Sequence, residues 1–296
     1  MKTMKRLLTI AALALAAASC NNDTADIVSA TNTIRVEASL PAASRATQTA
    51  FESGDVMGLF AVEYIDGVAQ PLQLIGNYIN NQPLTYNGTE WQAERTLYWS
   101  ESACDFYGVY PYQELKTIKD FTFDIQTDQS TERTEESLGG YEASDLMWAV
   151  QNNVTRDMGS VQLPFKHLMS RLVVKLVKGP KFEGELPEQI SAHVYNTAIT
   201  ALVNISKGNL EKYSESPKRT ITMRQIADDT FDAIIVPQNI ERNTPLIEIT
   251  MDGIAYLLEY SLSFRPGYQH TVELTLNTSP DQEKIEISID GDVDEW

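Results

Sequence analysis

The sequence predicts an all-β protein built mainly from antiparallel β-sandwiches. Three observations predict it. Apolar residues recur with a period of two in segments spread along the chain, as in strands with one buried face. Hairpin dipeptides, Asp66-Gly67, Asn87-Gly88 and Asp252-Gly253, lie between such segments. Beyond the first twenty residues no long stretch keeps helical spacing, and only short helical turns are expected, near TMRQIADD at residues 222–229.

The chain opens with Lys2, Lys5 and Arg6, followed by an almost wholly apolar run from Leu7 to Ala18. This is the plan of a bacterial export signal over residues 1–19. About a dozen residues are too few to span a bilayer, which needs ~20. Ala17-Ala18-Ser19-Cys20 reads as a lipobox, with Ala17 where Leu or Ile is usual. On that reading the Cys20 thiol takes a diacylglycerol and the acyl chains (palmitate among them) anchor the protein to the outer membrane. The alternative is an ordinary secretory signal with an incidental cysteine. A cysteine placed at the end of the apolar run favours the anchor. Residues 20–32 are small, polar and mildly acidic, which suits a flexible tether. Asp23-Thr24-Ala25 within it resembles a short O-glycosylation motif, against the plainer reading of linker.

Strand patterning begins at TIRVEASL, where Ile34, Val36, Ala38 and Leu40 share one face and Arg35, Glu37 and Ser39 the other. It returns at Leu172, Val174 and Leu176, at Val272, Leu274 and Leu276, and at Ile285, Ile287 and Ile289. Residues 127–140 are a polar stretch expected to be an exposed loop. QNNVTRDMGS, at 151–160, is polar and turn-rich, and places a domain boundary near residue 160. The expected domains are 33–160 and 161–296, each long enough for one sandwich.

Seven aromatic residues fall between Trp91 and Tyr112. One reading makes Trp91 and Trp99 stacking platforms for a carbohydrate. The other makes the cluster part of a sandwich core, because aromatics favour strands. With Cys20 lipidated, Cys104 stands alone beside aromatics, as a small buried hydrophobe does.

Searching for chemistry returns little. His167, His193 and His270 are the three histidines; none lies in HExxH and no two have metal-ligand spacing on one element. His167, in FKHLMS, is expected to be a hydrogen-bonded structural residue. There is no GxSxG elbow, GxGxxG turn or P-loop. Asp290, Asp292 and Asp294 have calcium-loop spacing, but Glu295 stands where the loop needs Gly, so a solvated acidic tail is expected. The chain carries 41 acids against 23 Lys and Arg, a net charge of −18. Removing the signal, which holds three positive charges and no acid, makes the body more acidic still. Nucleic acid and anionic lipid are therefore poor partners. No catalytic residue, metal site or cofactor is assigned, and the chain is not expected to be an enzyme.

Taken in order, a further set of segments carries a resemblance. They are Cys20, SRA at 44–46, FESGDVMGLF at 51–60, Trp91, LYW at 97–99 and DFYGVYPY at 105–112. DLMWA at 145–149, LPFKHLMSRLVVKL at 163–176, VPQ at 236–238, FRPGYQHTVEL at 264–274 and Trp296 complete it. The chain resembles the fimbrillin-like (Mfa-like) lipoproteins of the Bacteroidota, a group that includes type V pilus subunits. The resemblance implies two tandem transthyretin-like β-sandwich domains. It also implies a cell-surface fimbrial subunit, tip or anchor, contributing to adhesion, with other fimbrillin subunits and a host or bacterial surface receptor as partners. Within that family an Arg-specific protease cuts after an Arg downstream of the lipobox. Here the cut would fall between Arg45 and Ala46 and release the strand carrying Ile34, Val36, Ala38 and Leu40. A strand of the next subunit would then fill the vacated groove, by main-chain hydrogen bonds and alternate side-chain pockets. Arg45 as a plain loop residue remains the alternative. Stalk pilins of the family also need a C-terminal donor segment, and only seven residues follow Ile289 here. If that strand cannot leave its sheet, a tip or anchor position follows. The alternative function is a monomeric surface lipoprotein that binds carbohydrate.

Overall fold

The computed structural model describes residues 32–40, 50–211, 213–277 and 287–296. Cys20, the tether to residue 31, Arg45, Ala46 and Ile285 lie outside these residues. Nearly all the regular structure among the described residues is strand. The first half holds β1 (Val36–Ser39), β2 (Val56–Ile65), β3 (Val68–Ala69), β4 (Ile79–Tyr86), β5 (Trp91–Ala93), β6 (Cys104–Tyr110), β7 (Phe121–Asp124), β8 (Met147–Val154), β9 (Val161–Pro164) and β10 (Lys166–His167). The second holds β11 (Ser170–Lys178), β12 (Ile190–Ala198), β13 (Thr200–Asn204), β14 (Asn209–Glu211), β15 (Lys218–Thr222), β16 (Arg224–Ala227), β17 (Thr230–Ile235), β18 (Asn239–Ile240), β19 (Pro245–Met251), β20 (Ile254–Glu259), β21 (Leu262–Ser263), β22 (Tyr268–Leu276) and β23 (Ile287–Glu295). One short helix, α1 (Gly140–Ser144), precedes β8.

The main sheet of the first half runs β10-β8-β6-β2-β4-β5, antiparallel throughout. Its centre is β2, whose run VMGLFAVEYI is apolar on both faces. A strand of that kind must be covered twice. Met57, Leu59 and Ala61 pack with Phe106, Val161, Leu163 and Phe165 in one core. Phe60 and Val62 join Val109 and Trp148 in a second core, which also takes the apolar faces of the second half. Gly108 on β6 lets β9 and the residue after it approach, since a Cβ there would lie 2.7 Å from Phe165 Cζ.

The second half stacks a five-stranded sheet, β16-β17-β11-β22-β23, on a four-stranded one, β15-β12-β19-β20. Leu172, Val174, Val272 and Leu274 from the first meet Val194, Ile247 and Ile249 from the second in one core. Of the period-two segments read from the sequence, Leu172–Leu176 lies on β11, Val272–Leu276 on β22, and Ile287 and Ile289 on β23. Two pairings are parallel, β1 with β9 and β11 with β22. β7 crosses between the halves, pairing Phe123 with Ala201 on β13.

Turn chemistry follows the dipeptides in two of three cases. Asp66 and Gly67 (φ 51° and 78°) and Asp252 and Gly253 (φ 47° and 81°) both take the left-handed backbone of a two-residue hairpin. At Asn87-Gly88 only Gly88 does so, with φ 93°. There Asn87 Oδ1 accepts the N–H groups of Thr89 and Glu90, both at 2.9 Å, closing a longer connection.

Three expectations are corrected. Residues 222–229 hold no helical turn; β16 pairs with β17, and Arg224 faces Asp232 across the ladder at 3.0 Å. The stretch 127–140 is not wholly an exposed loop. Gln129 is buried, donates to the Ile234 carbonyl at 2.9 Å and accepts its N–H at 2.7 Å. The acidic end is not a free tail either. Asp290 to Glu295 continue β23, paired antiparallel to β22 from Leu276–Ile287 to Tyr268–Glu295.

Candidate functional site

The candidate removable strand occupies a slot in the first core. β1 pairs in parallel with β9, Val36 opposite Val161 and Ala38 opposite Leu163. Either end of the ladder is tied by a backbone bond, Val161 N–H to the Arg35 carbonyl (2.8 Å) and Phe165 N–H to the Ser39 carbonyl (2.9 Å). Ahead of β1 the other edge is held by Ile34 N–H donating to the Leu97 carbonyl at 2.8 Å, beside a bridge between Thr33 and Tyr98. Val36 is buried, while Ile34, Ala38 and Leu40 are partly buried against the same core. Arg35, Glu37 and Ser39 are exposed. Glu37 accepts a hydrogen bond from Gln162 Nε2 at 2.9 Å, which holds its carboxyl below the usual range, with Ser160 adding to the effect.

Beside β1 lies an open cavity of about 630 Å³, lined besides the strand by Leu84, Tyr86, Trp91 and Leu97 and by the charged Glu90 and Arg95. Pairing of β1 is therefore one-sided over most of its length. Trp91 and Trp99 are both buried. Trp91 meets Phe51 edge-on at 4.9 Å and Tyr86 at 5.2 Å; Trp99 meets Phe106 edge-on at 6.0 Å. Trp91 also contributes to the cavity wall. Cys104 is buried, and burial pushes its thiol up to about 11, so it is a core side chain rather than a nucleophile.

Where β1 ends, Leu40 shares a small pocket with Tyr141, Asp145, Met147, His167, Arg224 and Trp296. His167 Nδ1 is bonded to Asp145 Oδ1 at 2.9 Å. The Trp296 ring stacks on the imidazole, centroids 3.7 Å apart and planes 11° apart, and the Trp296 backbone N–H donates to the Gly267 carbonyl at 2.9 Å. The C-terminal residue is thereby fastened beside the end of β1. Sequence reasoning singled out His167 and Trp296 separately. Nothing in their spacing joins them, because the contact is made by sheet register. A second tie went unread: buried Asp55 accepts Tyr110 O–H (2.9 Å), Arg133 Nη1 (2.6 Å) and Glu52 N–H (2.8 Å). Among the described residues no group of three or more His, Cys, Asp or Glu side chains is placed to hold a metal ion.

The comparisons agree with this architecture. A family model described as fimbrillin-like matches residues 44–296. A candidate fimbrium tip subunit of Bacteroides ovatus is 34% identical over 143 residues, covering 43% of this chain and 24% of the relative. The match thus spans about a quarter of that relative's length. Among solved structures, a candidate cell adhesion protein from Bacteroides uniformis superposes with TM-score 0.64 at 18% identity, over 89% of this chain and 98% of that one. Another from Bacteroides ovatus gives 0.65 at 14% identity, over 89% and 97%. At these identities the structures speak for the fold. With the family model covering most of its length, the chain belongs to the fimbrillin-like family.

Proposed function

We propose that the protein is a lipid-anchored outer-membrane subunit of a fimbrium, structural rather than enzymatic, that joins other fimbrillin subunits by β-strand exchange and contributes to adhesion. The observation that carries this reading is the one-sided seating of β1. Its alternate residues Val36 and Ala38 fill the first core, while the cavity beside it leaves that flank unpaired. Cleavage between Arg45 and Ala46 would cut the covalent link between this strand and the rest of the fold. The slot left behind would offer Val161 and Leu163 on one wall and the Leu97 segment on the other. An incoming strand with apolar residues at alternate positions would satisfy both.

A tip or anchor position suits the C-terminal strand better than a stalk position. β23 is paired along its whole length and closed by the Trp296–His167 stack, so releasing it as a donor would break both. The tip description of the Bacteroides ovatus relative supports the same placement. The mature N-terminus on native cells tests the proposal, by mass spectrometry of surface-released protein. A start at Ala46 is expected for released chain, while the membrane-held form before the cut keeps lipidated Cys20; a lipidated Cys20 as the sole N-terminus would mean that β1 stays in place and would sink strand exchange into this slot.

A second reading, carbohydrate binding through Trp91 and Trp99, draws on one observation: Trp91 walls the cavity beside Glu90 and Arg95. Glycan-array binding that is lost in Trp91→Ala with an unchanged circular dichroism spectrum would favour it. An array without a single bound glycan would remove it.

A further inference from the structure

Ten large apolar or aromatic side chains are exposed among the described residues, and six of them, Ile65, Val68, Ile75, Tyr78, Tyr98 and Met158, belong to one end of the first sheet. The register puts them there. Ala61 opposes Ile79, Glu63 opposes Cys104, and Cys104 opposes Val154, so the end of β2, the starts of β4 and β6 and the end of β8 coincide. Ile65 and Val68 face each other across the β2–β3 hairpin. Tyr78 O–H donates to the Tyr98 carbonyl at 2.9 Å. Met158 lies in the short turn that follows β8. The remaining four, Ile226, Ile254, Leu257 and Val293, lie on strands of the second half. Exposed apolar side chains gathered at one end of a surface mark something to be covered.

The path of the chain says what covers them. Asn32, the first described residue, lies at this same end, with Trp99 N–H donating to its carbonyl at 3.0 Å beside Tyr98. Only residues 21–31 separate it from Cys20. Even fully extended, so few residues reach no more than roughly 40 Å. An acylated Cys20 would therefore hold these side chains close to the bilayer surface. Tyrosine rings and aliphatic side chains together suit the interfacial zone of a membrane. A net charge of −18 disfavours anionic lipid and leaves a zwitterionic surface.

We propose that this end of the first sheet is a membrane-docking face that seats the protein on a zwitterionic lipid surface and fixes its orientation. The proposal rests on the lipid anchor at Cys20 and concerns the anchored chain before any cut between Arg45 and Ala46. The anchor supplies the affinity, while the docking face sets which end points outward. The opposite end, with the Asp55–Arg133 tie and the Trp296 stack, would then face away from the membrane.

Cysteine labelling of the lipidated full-length chain tests it. Cys104 is buried, so an introduced Cys is the labelling site. Ile75→Cys and, as a control in the second half, Leu257→Cys are labelled with an environment-sensitive fluorophore. Each is reconstituted in phosphatidylethanolamine–phosphatidylcholine vesicles containing brominated phosphatidylcholine. Expected are a blue shift and bromolipid quenching at position 75, and neither at position 257. In chain that floats with the vesicles, an unquenched label at 75 overturns the proposal, and so does equal quenching at both positions. A blue shift at 75 without quenching means that protein rather than lipid covers this end, which also overturns it. Chain that fails to float lacks the anchor itself. That outcome is read without any label, and docking falls with it.

Discussion

His270 is held neutral by its surroundings. Its ring is buried, with Phe264 edge-on at 5.3 Å, and Nε2 accepts the Arg265 N–H at 3.2 Å. No partner for Nδ1 occurs among the described residues. Burial, with a smaller contribution from the Arg265 charge, lowers its pKa from 6.5 to about 4. Between those values the unfolded chain takes up a proton that the folded chain refuses, so stability falls as pH drops through that window. Thermal melts from pH 7 to pH 4 should show this loss, at most about 3 kcal/mol at ~1.4 kcal/mol per pH unit. His270→Gln should have a flatter profile over the same range; an unchanged slope would assign the loss to carboxylates elsewhere. Asp55 is a second residue with a defined cost. Asp55→Ala leaves the buried Tyr110 hydroxyl and the Arg133 guanidinium without their shared acceptor. Breaking such a pair from one side costs ~3–5 kcal/mol. Urea unfolding should report a loss of that order, with a smaller one for Arg133→Ala, whose side chain is partly exposed.

At the level of elements, the two terminal strands behave differently. β1 has a four-residue ladder to one neighbour, whereas β23 has a nine-residue ladder and a ring stack at its end. A chain beginning at Ala46 should therefore bind a synthetic peptide of residues 33–40. The same peptide with Val36→Asp should not bind, since an ionised carboxylate would have to enter the core. Fluorescence polarisation measures both, and equal binding of the two peptides would mean that the slot does not read alternate side chains. Trp296→Ala should raise amide exchange along β23 while leaving β12 protected. Unchanged exchange in β23 would show that the ladder to β22 suffices without the stack. The outward amides of Gly291 and Val293 are already occupied by the preceding Asp290 and Asp292 carboxylates, both at 2.8 Å. Acidic residues on an edge strand also discourage further strand addition there.

Across the whole molecule, the division into 33–160 and 161–296 is a proposal about folding units, and the shared core sets its test. Phe60, Val62, Val109 and Trp148 pack with the second half, and β7 supplies a neighbour to β13. Trp148 Nε1 donates to the Ile205 carbonyl at 2.7 Å, and Gly208 leaves room for its ring, which a Cβ would meet at 2.1 Å. Calorimetry of the full chain is expected to give one cooperative transition, lowered by Gly208→Ala. Two transitions, with only one sensitive to that substitution, would identify independent domains. Net charge acts at this scale as well: at −18 it disfavours association with other polyanions.

The sequence by itself determined the all-β class and the buried face of most strands, because a period of two is a local property that burial writes directly into residue order. Ile34 to Leu40, Leu172 to Leu176 and Val272 to Leu276 were legible for that reason. So were the hairpins at Asp66-Gly67 and Asp252-Gly253, whose left-handed backbone restricts residue type. Other features depended on partners far along the chain. Residues 222–229 were expected to hold short helical turns, yet Arg224 to Ala227 form a strand through pairing with β17. The aspartates of β23 masked its strand until register with β22 placed it. Trp91 and Trp99 could be platform or core by composition, and packing against Phe51 and Phe106 buried them. Register also brought Leu40, Asp145, His167 and Trp296 to one pocket, and only the tertiary structure decides such meetings, because each contact joins residues whose separation in sequence carries no period.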